Sequence, residues 1–434
     1  MPGSSTALPA AEPLRAAATA VLRANDAGRW TKPSPAQYPH QWNWDSAFIS
    51  LGWAEVDWTR ATVEIESMLD ARWRDGMVPH VHYDPERLAG YFPGPDWWPL
   101  AQTMVLREGR LTSGITNPPV LAVAALEVGL KQRELAARRA FWSRVYPDLR
   151  DFVAFFRSRR ALPGSPLPVM VHPWESGWDN SPRWDFLAAA RLKPSKPYTR
   201  LDTVHVPAGQ RPTAKDYDSF LALVELLEAT GYDIEEYHRR SPFCVHDVLL
   251  DAVWHAAAAA VNRMAAELGE PDPFSRGELD EFAAAFEEAH WDEDSGLYLD
   301  FDLVAGRRVK VATAAGVAAF FGGFQRPERA RRCLATYLAA SGEARPLCTV
   351  PPSEPAFDSS RYWRGPVWLN VNWLAAKGLD LFAPEEAARL RERTLELVSG
   401  AGLGEYFDAL SGIALGSPDF SWTAALTLDL TRPK

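Results

Sequence analysis

Cysteine is scarce in this chain, three in 434 residues, and Cys244, Cys333 and Cys348 stand far apart without a CxxC pair or zinc-type histidine spacing. That excludes a disulfide framework and a thiolate metal centre, and leaves buried thiols in a reducing compartment as the expectation. Long apolar runs are missing as well. Ala256 to Val261 and Ala314 to Phe321 are among the longest, far short of the roughly 20 residues that cross a bilayer. Met1 to Ala20 has no basic head followed by a continuous apolar core, so neither a secretory signal nor a membrane partner is expected, and the predicted location is cytoplasmic. Basic charge is in deficit, 46 Lys and Arg against 56 Asp and Glu, for a net charge of -10 mixed along the chain. A nucleic-acid surface needs the opposite, a concentrated basic face. The nine histidines form no H-E-x-x-H or similar cluster, and Asp292 to Gly296 lacks the spacing of a calcium loop, so it reads as a tight turn. No metal and no cofactor are expected. A homo-oligomer is compatible with the sequence, which carries no signal for or against one.

What the chain does contain is helical periodicity almost throughout. Asp216 to Glu228 places Tyr217, Phe220, Leu221, Val224 and Leu227 on one face, the stripe of a helix packed on one side. Ala383 to Gly400 adds end signals, with Pro384 in the first turn, Glu385 and Glu386 at the positive helix start, and Gly400 as a left-handed cap. Further helices are predicted near 11–25, 58–73, 118–132, 137–159, 246–267, 276–289, 326–340, 365–377 and 418–430, about a dozen in all. Strand signals are confined to Leu297 to Phe301 and Arg308 to Val311. Between the helices run long, aromatic, proline-rich connections: Thr31 to Asn43, Pro79 to Trp98, Leu162 to Pro212 and Arg345 to Arg364. Connections of this length are functional or disordered, and their tryptophans would be costly to leave in water. They are therefore expected to gather around one concave face. No low-complexity linker divides the chain, so residues 1–434 read as one domain, with 162–212 as an inserted cap.

Four segments combine charged side chains with aromatics. His172 to Asp185 holds Trp174, Trp178 and Trp184 beside Glu175, Asp179 and Asp185 on a segment broken by glycine and proline. Indoles stack on the C–H faces of sugars while carboxyls move protons, so Asp179 is the leading catalytic candidate, with Glu175 and Asp185 as supporting partners. Turn chemistry accounts for Asn180, Ser181 and Pro182, with Arg183 paired to an acid. Tyr38 to Asp45 brings Tyr38, Trp42, Trp44 and Asp45 to the start of an apolar run; Asp45 can cap that helix, line a sugar pocket, or do both. Arg361 to Trp373 opens a helix at Gly365-Pro366 and offers Arg364 for a carboxylate or sugar hydroxyl. Gly402 to Asp408 carries Glu405 between a glycine and an aromatic pair, whereas Asp408 belongs to a turn.

These segments resemble glycoside hydrolase family 63, in the bacterial branch that hydrolyses mannosylglycerate and glucosylglycerate. Gln41-Trp42-Asn43-Trp44-Asp45, Ser176 to Trp184, Tyr362 to Trp368 and Glu405-Tyr406-Phe407-Asp408 carry the likeness, which spans most of the chain. The resemblance implies an all-α (α/α)6 barrel with long loops forming a lid or wall over one end, in agreement with the helix count. It implies inversion at the anomeric carbon, Asp179 as general acid and Glu405 as general base. Tyr38, Trp42, Trp44, Asp45 and Trp178 would line the glycone pocket, Tyr362 and Trp363 would lie toward the leaving group, and Trp368 would be a further substrate-binding residue. Burial among indoles would raise the Asp179 pKa and keep its proton near neutrality.

The acceptor is less defined. An anionic glycerate calls for a cation, and Arg211, Lys215 with Tyr217, and Arg364 all remain candidates. Asn117 stands where a longer amide would be expected, and Asp419 to Trp422 lacks an expected glutamine. A neutral short α-disaccharide keeps the same fold and carboxyls. A lyase or epimerase on a similar barrel, and a non-catalytic sugar-binding protein, are readings from other classes.

Overall fold

The computed structural model describes residues 11–342 and 346–432. Of the fifteen α-helices among the described residues, twelve build the core of the fold, in chain order: α1 (Ala11–Asn25), α2 (Asn43–Trp53), α3 (Trp58–Leu69), α4 (Val120–Lys131), α5 (Leu135–Arg159), α6 (Val248–Leu268), α7 (Arg276–His290), α8 (Ala315–Ala318), α9 (Pro327–Ser341), α10 (Leu369–Leu379), α11 (Pro384–Ala401) and α12 (Ser421–Leu430). The even-numbered members form an inner ring. α2 packs on α4, α4 on α6, α6 on the 3-10 turn Ala319–Gly322 that extends α8, that turn on α10, α10 on α12, and α12 back on α2. The odd-numbered helices pack outside this ring, which makes the fold an (α/α)6 barrel.

The sequence explains which ring each helix joins. Every residue of α2 is buried, and α10 and α12 are nearly as enclosed, because a helix without a polar face is stable only when covered all round. By contrast, α9 and α11 each bury one stripe, Ala330, Cys333, Leu334 and Tyr337 in α9 and Ala387, Leu390, Thr394, Leu395 and Val398 in α11. All three cysteines are buried free thiols. Among the described residues, no helix is long and apolar enough to cross a membrane.

Several local expectations need correction. Gly400 lies inside α11, and Gly402, at φ +88°, takes the positive backbone angle beyond its end. Asp45 does not cap α2. The helix begins at Asn43 with Trp42 at its N-cap, which leaves the Asp45 carboxyl in the first turn and free for another use. The inner segment at 315–322 falls outside the predicted helices because it is a four-residue helix followed by a short 3-10 turn, too brief to show a period. Strand is limited to short ladders. Leu297–Tyr298 folds back on Trp291–Asp292, with Asp292 Oδ2 accepting from the Ser295 amide at 3.0 Å, the tight turn expected there.

Candidate active site

The segment that carries Asp179 is fixed from several sides. His172 Nδ1 accepts from the Trp174 amide, Pro173–Ser176 forms a 3-10 turn, and Ser176 Oγ accepts from the Trp178 amide at 2.9 Å. Glu175 is buried and gripped by both Arg160 guanidinium nitrogens at 2.7 and 3.0 Å, so it braces the turn and does not face substrate. Gly177 follows at φ +71°, and a Cβ there would stand 2.1 Å from the Trp44 ring. Only glycine lets the acid segment lie against that indole. Arg183 is buried between the Trp178 and Trp184 rings and pairs with Asp247 and Asp300 at 2.7 and 3.0 Å. Asn180 lies in the expected turn, closed by the Ser181 amide donating to the Trp178 carbonyl at 3.0 Å, and also reaches across the fold, where its Oδ1 accepts from the Trp363 amide at 3.0 Å.

Glu405 comes from the opposite end of the chain, just ahead of the strand Tyr406–Phe407, and is 1% exposed. Its Oε2 accepts from the Ser417 amide at 2.8 Å, and its Oε1 accepts from the Tyr38 hydroxyl at 2.8 Å. Gly416 makes room for it: at φ +71°, a Cβ would fall 2.4 Å from Glu405 Oε2.

Asp179 and Glu405 meet at a cavity of about 260 Å³ lined by residues from all four long connections. The volume lies just below the roughly 300–1,000 Å³ typical of small-molecule pockets, which suits a compact ligand. Tyr38, Trp42, Trp44, Asp45, Tyr362 and Trp363 are in its wall, together with Tyr217. Arg211 is the one lysine or arginine among the described lining residues. Its Nη1 donates to the Tyr38 hydroxyl at 2.9 Å and lies 3.6 Å from Glu405 Oε1, and its guanidinium covers the Tyr362 ring at 4.2 Å.

Burial raises both carboxyl pKa values. Burial pushes the Asp179 pKa up to about 7, against the pull of Arg211 and its own amide, while Asp202 and Glu405 add to the rise. Burial also raises Glu405, but Arg211, the Ser417 N–H and the Tyr38 O–H all favour its ionised form. Asp45 is held well above the usual carboxylate range, first by burial and then by the Glu405 charge. Burial lowers His80 on the cavity wall to about 3, which leaves a neutral imidazole.

Five expected residues lie outside the cavity wall. Lys215 is on the exposed side of the helix Ala214–Ala229, away from the lining, although Tyr217 two residues on is part of it. Arg364 is committed to Asp185 through two bonds of 2.7 and 2.8 Å. Asn117 is fully buried, its amide nitrogen 3.3 Å from the carbonyls of Trp174 and Glu175. Trp178 and Trp368 sit behind the wall, one on each face of Trp363: ring centroids are 5.2 Å apart for Trp178–Trp363 and 3.7 Å for Trp363–Trp368. Residues not proposed from the sequence as binding residues also line the cavity, among them Tyr91, Asp202, and Phe420 and Trp422 of the segment that lacks the expected glutamine. The proline-rich character of 79–98 pointed to the loop that carries Tyr91; nothing in the residue pattern marked Asp202.

The chain is 41% identical over 426 residues to a mannosylglycerate hydrolase of Thermus thermophilus, covering 96% of this chain and 100% of the relative. It is 35% identical over 441 residues to a glucosylglycerate hydrolase of Mycolicibacterium hassiacum, covering 96% and 97%. The crystal structure of a GH63 mannosylglycerate hydrolase from Thermus thermophilus in complex with Tris and D-glycerate superposes with a TM-score of 0.89 at 40% identity, over 97% of this chain and all of the other. Residues 38–423, which include every lining residue named above, match the family model of the mannosylglycerate hydrolase MGH1-like glycoside hydrolase domain, and the chain therefore belongs to this branch of glycoside hydrolase family 63.

Proposed function

We propose that this glycoside hydrolase cleaves a small α-glycoside of glycerate, mannosylglycerate or glucosylglycerate, with inversion at the anomeric carbon. Asp179, protonated near neutral pH, gives its proton to the glycosidic oxygen as the C1–O bond breaks. Glu405 takes a proton from a water that attacks C1 from the opposite face. The products are the β-sugar and glycerate, and the enzyme ends with Asp179 ionised and Glu405 protonated, one proton transfer from its starting state. Asp45 and the indoles of Trp42 and Trp44 hold the sugar ring, the carboxyl bonding hydroxyls and the rings covering C–H faces.

The observation that carries the glycerate half of this reading is Arg211, a buried guanidinium and the one arginine or lysine among the described lining residues of the cavity. Burial disfavours its charge, but Tyr362, Tyr38, Glu405 and Asp202 together keep it protonated. It offers planar donors to a carboxylate, and Tyr217 lines the same cavity. The names of the relatives, one for each glycone, support the same substrate class. The test is to replace Arg211 with Met and measure hydrolysis of glycerate glycosides against a neutral α-disaccharide. The reading predicts a KM for the glycerate substrate raised about 10- to 100-fold, the loss expected for a charged hydrogen-bonding partner. An unchanged KM would return the acceptor to a neutral group.

A further inference from the structure

The Arg211 guanidinium already faces a carboxylate from its own chain. Asp202 lies on the cavity wall with Oδ2 3.5 Å from Arg211 Nε. A second arginine holds the same side chain more closely, with Arg200 Nε and Nη2 donating to its two oxygens at 2.9 and 2.7 Å. The Asp202 backbone is tied down as well, its carbonyl accepting from Gln37 Nε2 at 3.0 Å. Arg200 in turn covers the Tyr217 ring at 4.2 Å. Asp202 thus has a short bidentate bond to one cation and a long single contact to the other. It can give up Arg211 and still be paired, so losing that contact strands no buried charge.

We propose that Asp202 is a specificity-determining residue that occupies Arg211 in place of the substrate carboxylate and yields that position when glycerate enters. The inference rests on the reading of Arg211 as the glycerate receptor. An anionic acceptor replaces one carboxylate with another, so Arg211 keeps a second anionic partner beside Glu405. A neutral acceptor brings nothing to replace Asp202 with, and meets a cation whose donors are already engaged. Discrimination therefore comes from the competitor as well as from the receptor. The same competition weakens retention of the glycerate product, because Asp202 reclaims Arg211 as the product leaves.

A purely bracing role for Asp202 predicts the opposite sign, since an arginine without its brace should bind glycerate less well. Calorimetric titration of the wild type, Asp202→Asn and Asp202→Glu with D-glycerate, and with glycerol as the uncharged analogue, separates the two. Competition predicts that Asp202→Asn binds D-glycerate about fivefold more tightly, that Asp202→Glu stays near the wild type, and that glycerol binding gains less than D-glycerate binding. Equal or weaker D-glycerate binding by Asp202→Asn would overturn the proposal. Arg200→Met is the second variant: freeing Asp202 to pair fully with Arg211 should weaken D-glycerate binding, and tighter binding would contradict the proposal. Arg211→Met separates the two readings. If it abolishes D-glycerate binding while Asp202→Asn has no effect, the glycerate reading stands and the competition falls. If the wild type binds D-glycerate no better than glycerol, both fall.

Discussion

The indole of Trp363 lies on that of Trp368 with ring centroids 3.7 Å apart and planes 5° from parallel. This pair is the middle of a four-ring column: Trp178 stacks on the far side of Trp363, and Tyr406 on the far side of Trp368. Trp178 precedes Asp179 in the chain, and Tyr406 follows Glu405. The column therefore connects the segments of the two carboxyls through aromatic contact, the two wider-spaced outer pairs each contributing roughly 0.5–1.5 kcal/mol beyond their burial. Substituting Trp368→Phe should lower kcat about tenfold while KM changes less than about twofold, because displacing a reacting group by a fraction of an ångström costs rate more than binding. Steady-state kinetics with a thermal melt will check it; a loss confined to stability would make the column purely structural.

Asp179→Asn and Glu405→Gln should each reduce kcat by about 10²- to 10⁴-fold, the usual contribution of a positioned acid or base. Substrate binding, measured calorimetrically, should survive in both. Retained turnover in Asp179→Asn would favour chemistry that does not need an acid at this position.

The rate should fall as pH rises through about 7, where Asp179 loses the proton it must donate. Stability supplies an independent check. A carboxyl whose folded pKa is raised contributes stability below its unfolded pKa, and that contribution is lost as pH rises through the folded value. Asp179→Asn should therefore melt above the wild type at pH 8, with the gap narrowing as pH falls toward 4. A gap independent of pH would place the high pKa on another group.

Gly416→Ala adds a methyl where Glu405 Oε2 already stands, on a backbone at φ +71°. The base should be displaced and kcat should drop about 100-fold or more. Gly28→Ala, also at positive φ but with open space around it, is the control for strain alone.

Much of this was readable in the sequence because the chemistry is concentrated in short segments. Asp45, Asp179 and Glu405 were each marked by neighbouring aromatics, and the structure brings all three to one cavity. The helices were readable wherever an apolar stripe ran for several turns, and unreadable at 315–322, where the ring is completed by two short turns. The cation was different. Arg211, Lys215 and Arg364 carry the same charge, and what separates them is partnership: Lys215 points to solvent, Arg364 is held by Asp185, and Arg211 alone of the three faces the cavity. Such partners come from distant parts of the chain, so no local pattern encodes them. The same applies to Trp178 and Trp368, whose indoles suggested a pocket wall but lie one layer behind it.

Proton NMR of the sugar released from mannosylglycerate and from glucosylglycerate, followed from the first turnover, tests the central claim most directly. The account predicts cleavage of at least one of them with the β-anomer appearing first and the α-anomer growing in only by mutarotation. Initial release of the α-anomer would contradict the assignment of Asp179 and Glu405 as the acid and base of an inverting hydrolase.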